Sequence, residues 1–407
     1  MTTGVPAVWE RPTRLQVGAG SAVRALAEGA PGGGTVLLAD CALPAALVQR
    51  LAAVGGAERL HRLSADGQGR SDLERSVMLC DLLRGARRVV AVGGGTVLDL
   101  AALARLLCAD RDAAARIGHG GPRPGLVVCP PVRPPHTPEL VAVPTTIGTA
   151  AEVSSVATTV LDGHRKLVVA GLLAADTAAL DPDLTRTLPP ARLREGVLEA
   201  MFRVLNGYAM EPGPNVPPTA DAEALEVLGQ LATIGGRLHT AAGDEPDGAA
   251  RDAVVRTDAA LLSARTVLGW CQLGRDPFAG KIWYVANELA TASGARKMVA
   301  TLAVAPWLWQ RALDGDARYG RADRVRHAWD TVRSRLPHLP TQPVAGLRAL
   351  RSDWGLPACP PSSLPAAALA RRAVRAWGAG LPMLGGLRTS ELRSLYTDIL
   401  DGEPHDD

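Results

Sequence analysis

The sequence predicts an α/β domain built on a parallel sheet, followed by an all-helical domain, and three observations carry that expectation. Between Thr35 and Val169 short β-branched runs alternate with helical patterns. One of these runs leads into three consecutive glycines and then an apolar helix. From about Ala191 onward the texture changes to long Ala-, Leu- and Arg-rich stretches with apolar residues at helical spacing.

The expected strands are Thr35 to Ala39, Arg88 to Val92, Leu126 to Cys129 and Leu140 to Val143. Each is apolar on both faces, as a strand buried inside a parallel sheet should be. Pro130-Pro131-Val132-Arg133-Pro134-Pro135-His136 is too proline-rich for a helix and reads as an extended surface connection. The helical half is interrupted from Pro212 to Pro218 and again near Leu336 to Pro343. Asp181-Pro182-Asp183-Leu184 and Pro189-Pro190 punctuate the join, giving an expected α/β domain over residues 1–186 and a helical domain over 187–407.

A chain of 407 residues, 47% hydrophobic, can bury the core of two domains. Its formal charge is only +3, with 44 basic and 41 acidic residues intermixed, so neither nucleic acid nor a membrane surface is an expected partner. Cys41, Cys80, Cys108, Cys129, Cys271 and Cys359 lie far apart without a C-x-x-C pair. That argues against a disulfide framework or thiolate zinc site and fits a reducing cytoplasm. Met1 to Leu15 includes Glu10, Arg11 and Pro12 and has no continuous apolar run, so neither a signal peptide nor a membrane span is expected there. The richness in Ala, Gly, Arg and Pro reads as a bacterial coding preference, and the acidic end from Asp401 to Asp407 as a solvated tail.

Val92 is followed by Gly93-Gly94-Gly95-Thr96-Val97-Leu98-Asp99, which places the glycines on a strand-to-helix turn. Glycines let the backbone approach a pyrophosphate, and the helix N-terminus offers N–H groups and a favourable dipole. Thr96 and Asp99 also form the pattern of a capped helix start. Asp40 ends the first strand, where a carboxylate can accept from an adenosine ribose and repel an added phosphate, favouring NAD over NADP. A strand-end turn explains Asp40 as well. Gly18-Ala19-Gly20-Ser21-Ala22-Val23 matches only part of a dinucleotide fingerprint.

The combination of Gly93-Gly94-Gly95-Thr96-x-x-Asp99, Pro144-Thr145-Thr146-x-Gly148-Thr149-x-x-Glu152 and Asp181-Pro182-x-Leu184-x-x-x-Leu188-Pro189 resembles the iron-containing alcohol dehydrogenases of the dehydroquinate synthase-like superfamily. Leu15-x-x-Gly18-x-Gly20 extends the likeness, which runs from residue 12 to residue 310 and fades over the last hundred. The resemblance implies a Rossmann-like first domain binding NAD. Carried over onto this chain, it places the cofactor on Gly93, Gly94, Gly95, Thr96, Thr145, Thr146, Thr149 and Lys166, with Asp40 and Asp99 added from the local reading. It also implies a homodimer.

Members of that family hold a divalent metal with one Asp and three His from the helical domain. Here Gly196 to Arg203 aligns Glu199 with the aspartate and Arg203 with the first histidine, and helical i, i+4 spacing keeps both on one face. Ala286-Asn287-x-Leu289, Lys297-Met298-x-Ala300 and Pro306 then align Trp283 and Lys297 with the other two ligands. Arginine, tryptophan and protonated lysine donate no lone pair, so no catalytic metal is expected. All eight histidines, among them His119, His164, His239 and His327, fall elsewhere. The related cyclases are disfavoured, because Ser154 to Thr159 lacks their G-G-K and Gly280 to Val285 lacks both of their histidines.

Two cations and one carboxylate at former ligand positions have two readings. In the structural one, Arg203 or Lys297 pairs with Glu199 and fills space. The functional one adds an anionic small-molecule or peptide substrate. Arg203 would grip its carboxylate, Lys297 would stabilise an alkoxide or act as general base, and Trp283 would stand beside it. The expected activity is metal-independent, NAD(P)-dependent oxidation of a secondary alcohol. Oxidising a β-hydroxy acid gives a β-keto acid that readily loses CO2. The sharper expectation is therefore oxidative decarboxylation, for instance of a peptide C-terminal Thr in natural-product biosynthesis. Dehydrogenases of daptide-type peptide-modifying pathways look similar in family placement, and such a pathway could add an accessory protein. The alternative is a catalytically retired family member serving as a binding or scaffold subunit. Trp270, Trp283, Tyr284, Trp307 and Trp309 read as helix packing or as an aromatic wall, with Trp283 alone having a positional reason to be near substrate.

Overall fold

The computed structural model describes residues 12–28, 33–64, 72–119, 125–131, 133–210, 213, 215–240, 248–378 and 380–402, so Met1 to Arg11, Val132, Pro212 and Glu403 to Asp407 lie outside the described residues. The chain divides into two compact units, one of Glu10–Pro189 with Asp244–Leu268 and one of the remainder.

The strands among the described residues are β1 (Arg14–Val17), β2 (Thr35–Asp40), β3 (Ala57–Leu63), β4 (Arg88–Gly93), β5 (Leu126–Val128), β6 (Glu139–Pro144), β7 (Val156–Leu161), β8 (His164–Val169) and β9 (Thr177–Leu180). The first helices are α1 (Ser21–Ala27), α2 (Ala45–Val54), α3 (Asp72–Leu82), α4 (Gly95–Ala109), α5 (Ala113–Gly118), α6 (Pro190–Tyr208), α7 (Pro218–Thr240) and α8 (Gly248–Leu268). They are followed by α9 (Ile282–Ser293), α10 (Lys297–Leu313), α11 (Ala322–Arg335), α12 (Pro343–Asp353), α13 (Ala366–Trp377) and α14 (Thr389–Asp401).

The α/β unit is built on a six-stranded sheet of order β1-β9-β6-β4-β2-β3, parallel throughout. Its central strands alternate their side chains between two cores. Val36, Leu38, Val89, Ala91, Leu140 and Ala142 face α3 and α4. Leu37, Ala39, Val90, Val92, Val141 and Val143 face α1 and α2. Helices therefore cover both faces, and the continuous apolar runs are the sequence expression of that double burial. Helix α8 joins this unit, where Ala264 packs with Ala150, Val153, Ala178 and Leu180.

A second sheet has the order β5-β8-β7. Its β7–β8 hairpin is closed by Asp162 and Gly163, with φ of 50° and 70°, the positive pair a two-residue type I′ turn requires. The expected strand from Leu126 to Cys129 is shortened to Leu126–Val128 and pairs only with β8, outside the main sheet. Val128 is 63% exposed, so apolar composition here marks a sheet edge rather than burial on both faces.

The other unit is helical among its described residues, consisting of α6, α7 and α9 to α14 with single-turn connections. Trp309, Trp329, Trp354 and Trp377 are fully buried in it. Trp309 meets Trp329 edge-on at 6.4 Å, and Tyr284 packs on Trp377 at 5.2 Å, so Trp309 and Tyr284 are core residues. Among the described residues no helix is long and apolar enough to cross a membrane.

Candidate functional site

The chain winds from β2 out to β3 and then returns past β2 to β4, so the crossovers diverge between β2 and β4. The carboxyl ends of parallel strands at such a reversal are where open α/β sheets bind ligands. Asp40 ends β2, Ala39 is in register with Val92, and Gly93 is in register with Pro144. Asp40, the glycine turn and the Pro-Thr-Thr segment therefore stand side by side on three adjacent strand ends.

Close packing leaves no room for a Cβ at Gly93 or Gly95 and crowds one at Gly94. A Cβ on Gly93 would lie 2.7 Å from Val97 Cβ, one on Gly94 3.2 Å from Thr146 Cγ2, and one on Gly95 2.9 Å from Thr149 Cγ2. The Thr146 and Thr149 side chains thus lie directly against the glycine turn, and Thr145 N–H donates to Gly93 O at 3.0 Å. Gly148 (φ 106°) and Ala150 (φ 52°) give the threonine loop its left-handed bends. Helix α4 starts at Gly95 with Gly94 as its cap and no side-chain cap, which corrects the capped start expected from Thr96 and Asp99. Thr96 is exposed, and Asp99 accepts instead from Thr158 N–H at 3.0 Å, tying α4 to the β7–β8 hairpin. The reason is geometric: Thr96 lies inside the first turn, beyond the position from which a side chain can cap it. Val97 N–H and Leu98 N–H donate to Gly94 O at 3.0 and 3.2 Å, and the amides ahead of them in the first turn are left to an anion or to solvent.

Asp40 Oδ1 accepts from Ala42 N–H at 2.9 Å, so this carboxylate shapes the strand-end turn. Lys166 is in the second sheet, opposite Thr159. Both side chains are fully buried, and Lys166 Nζ and Thr159 Oγ1 have no hydrogen-bond partner. Burial pushes the Lys166 ammonium below its ordinary pKa, against the opposing pull of Asp162. The sequence reading missed Thr159, whose only signal is its cross-strand register with Lys166. It also missed what Asp181 does. The Asp181 carboxylate accepts from Ala22 N–H at 3.2 Å and Asp183 N–H at 3.1 Å, capping α1 from a distant segment. Burial raises its pKa, and these N–H bonds oppose the rise.

In the helical unit, Lys297 is the first residue of α10 and Glu199 lies on α6. Lys297 Nζ donates to Glu199 Oε1 at 2.9 Å and stands 4.2 Å above the centre of the Trp283 ring. Phe202 meets Trp283 edge-on at 6.3 Å and braces that ring. Glu195, one turn earlier on α6, holds the neighbouring Arg296 through both oxygens at 3.0 and 2.8 Å. Two successive cations at a helix N-terminus oppose its dipole, and two carboxylates spaced i, i+4 on α6 offset that cost. Arg203, one turn beyond Glu199, is half-buried, and its carbonyl accepts from Gln272 Nε2 at 3.0 Å.

The strand-turn-helix glycine segment and the threonine loop pressed against it fall within one stretch that matches a known family. Residues 73–182 match the iron-containing alcohol dehydrogenase family. A curated relative, the probable alcohol dehydrogenase EutG of Salmonella typhimurium, is 32% identical over 190 residues, covering 45% of this chain and 43% of its own. The chain thus matches less than half the length of that relative. The iron-containing alcohol dehydrogenase of Thermococcus thioreducens shares the fold with a TM-score of 0.71 at 18% identity, over 97% of this chain and 100% of that one. Sulfoacetaldehyde reductase from Bifidobacterium kashiwanohense, solved with NAD+, shares it at 0.69 and 17%, over 98% and 100%.

The likeness to iron-containing alcohol dehydrogenases raises the question of which residues here could hold a dinucleotide and which a metal. The glycine turn stands at the carboxyl ends of adjacent parallel strands and opens a helix, with Thr146 and Thr149 packed against it, and Lys166 brings a buried amine without a hydrogen-bond partner in the same unit. The four positions that the sequence resemblance sets against the family's metal ligands, Glu199, Arg203, Trp283 and Lys297, offer a single carboxylate, whose Oε1 already accepts from Lys297 Nζ. Among the described residues no group of three or more His, Cys, Asp or Glu is arranged to hold a metal ion.

Proposed function

We propose that the protein is a metal-independent, NAD-dependent dehydrogenase that oxidises a secondary alcohol carrying a carboxylate. The observation that carries this reading is Lys297, fixed between the Glu199 carboxylate and the Trp283 ring where the family places metal ligands. NAD, when bound, supplies the hydride acceptor. Gly93, Gly94, Gly95, Thr96, Thr145, Thr146 and Thr149 would hold its phosphates, Asp40 a ribose hydroxyl and Lys166 the far ribose, with Asp99 keeping α4 in place.

On the alcohol, Lys297 replaces the metal as the positive group beside the reacting oxygen. Lys297 Nζ passes a proton to Glu199 and, as hydride leaves the carbinol carbon, its freed lone pair takes the hydroxyl proton. The ammonium stays cationic against the forming carbonyl, and the net proton ends on the carboxylate. Arg203 would grip the substrate carboxylate, with Trp283 as the wall beside it. For a β-hydroxy acid the product is a β-keto acid, which loses CO2. A peptide C-terminal Thr in a natural-product pathway, served by a homodimer and an accessory pathway protein, is the specific version of this reading.

Calorimetric titration of NAD into chelator-treated protein tests the reading first. Binding without metal, followed by NADH formation with a β-hydroxy acid and its loss in Lys297→Met, is the expected result. Failure to bind either NAD or NADP would instead support a retired scaffold subunit, which the closed Glu199–Lys297 pair also accommodates. C-terminal Thr peptides that show no mass loss with NAD and pathway partners would remove the peptide version alone.

A further inference from the structure

The sequence spacing separates Cys80 from Cys108, yet the fold brings them together. Cys80 lies in the last turn of α3 and Cys108 in the last turn of α4. Cys108 Sγ donates to Cys80 Sγ at 2.7 Å and to the Cys80 carbonyl at 3.3 Å. Both thiols are half-buried, and both line an open cleft of about 1150 Å³ at the end of the sheet opposite the glycine turn. Arg84, Arg111 and His136 line the same cleft. The other described cysteines differ: Cys41 is exposed, Cys129 and Cys271 are buried, and Cys359 faces Ser293 Oγ at 3.7 Å.

We propose that Cys80 and Cys108 are a reversible oxidation site, forming a disulfide between α3 and α4 when a hydroperoxide enters the cleft. Bringing the sulfurs from 2.7 Å to a bonded separation of about 2.0 Å needs only small side-chain rotations. Cys108 gives its S–H to Cys80, and burial raises the Cys108 pKa further, so Cys108 holds its proton and Cys80 is the attacking sulfur. Cys80 Sγ attacks one peroxide oxygen and the O–O bond breaks, giving a sulfenic acid and, with the thiol proton, water or an alcohol. Cys108 Sγ then displaces the sulfenic oxygen, which leaves as water with the Cys108 proton. Two electrons pass from the sulfurs to the peroxide. The site is remote from the glycine turn, since α4 carries Cys108 most of its length away, and the inference does not depend on the dehydrogenase reading.

The test is peptide mapping of the full chain after a few equivalents of hydrogen peroxide. The expected result is loss of two hydrogen atoms from the intact mass and a tryptic species joining Ser76–Arg84 to Leu106–Arg111. That species should exceed any other cysteine link at least tenfold and vanish on reduction. In Cys108→Ser, dimedone should trap a sulfenic acid on Cys80. Oxygen uptake at Cys80 or Cys108 without the link, or oxidation confined to Cys41 with both peptides free, overturns the proposal.

Discussion

Replacing Lys297 with Met keeps an apolar stem over Trp283 and removes the charge that holds Glu199. The pair is 2.9 Å apart with side chains 36% and 15% exposed, so it is neither buried nor fully solvated. Unit charges about 4 Å apart attract by about 1 kcal/mol in water and about 4 kcal/mol near a protein surface. Exposure and the ordering of two long side chains reduce the net coupling to about 1 kcal/mol. The ammonium above the indole ring adds about 0.5–1 kcal/mol. Lys297→Met should therefore cost about 2 kcal/mol and Glu199→Gln about 1 kcal/mol, with the double variant falling short of their sum by about 1 kcal/mol. Urea unfolding of the four proteins, followed by tryptophan fluorescence, measures that difference. It should shrink in 1 M salt, where the Debye length is about 3 Å. A coupling within about 0.3 kcal/mol of zero at low salt would refute the pairing and the proton path built on it.

Gly95→Ala places a methyl 2.9 Å from Thr149 Cγ2 and should weaken NAD binding about tenfold in calorimetry, with Thr149→Ser restoring part of it; an unchanged affinity would separate the glycine turn from the cofactor. Arg324 and Arg275 hold the Asp221 carboxyl at about 2 against an ordinary 3.8, chiefly through the Arg324 hydrogen bonds. A depressed carboxylate pKa contributes stability that is complete above the unfolded value of 3.8 and lost as pH falls through about 2, here about 2 kcal/mol. Acid titration of Asp221→Asn should lack that loss between pH 3.8 and 2. Finally, R203H/W283H/K297H beside Glu199 recreates a carboxylate and three imidazoles, and should bind Zn2+ in calorimetry at micromolar concentration or tighter; no gain over wild type would show that these four positions do not converge.

The parts of the fold legible in the sequence are those whose burial is extreme. β2, β4 and β6 are apolar on both faces because helices cover both sides, and runs as short as Val89 to Val92 read as strands rather than buried helices. β3 was not legible, since its Ala57–Leu63 run is a half-exposed edge with Arg and His among its residues. The β7–β8 hairpin escaped too, although Asp162-Gly163 is the residue pair such a turn prefers. α8 shows helical spacing, but spacing does not say which core a helix joins. At the candidate site, the order of motifs located the glycine turn and Glu199, Trp283 and Lys297. Which cation holds Glu199 depends on side-chain reach, and only the coordinates assign that contact to Lys297. Cys80 and Cys108 illustrate the same limit, because neighbouring helices erase a separation that sequence spacing treats as decisive.

The return of α8 to the α/β unit has a consequence for how the chain becomes a protein. Domains tend to fold as they leave the ribosome, earliest segments first. Here the α/β unit is not finished when Pro189 emerges, because Ala150, Val153, Ala178 and Leu180 still lack the helix that ends at Leu268. The intervening α6 and α7 must be made, and their own partners awaited, while that apolar face stays open. A fragment ending at Pro189 should accordingly aggregate. A version in which α8 is joined directly behind β9 by a short linker should remain in solution and keep the cradle.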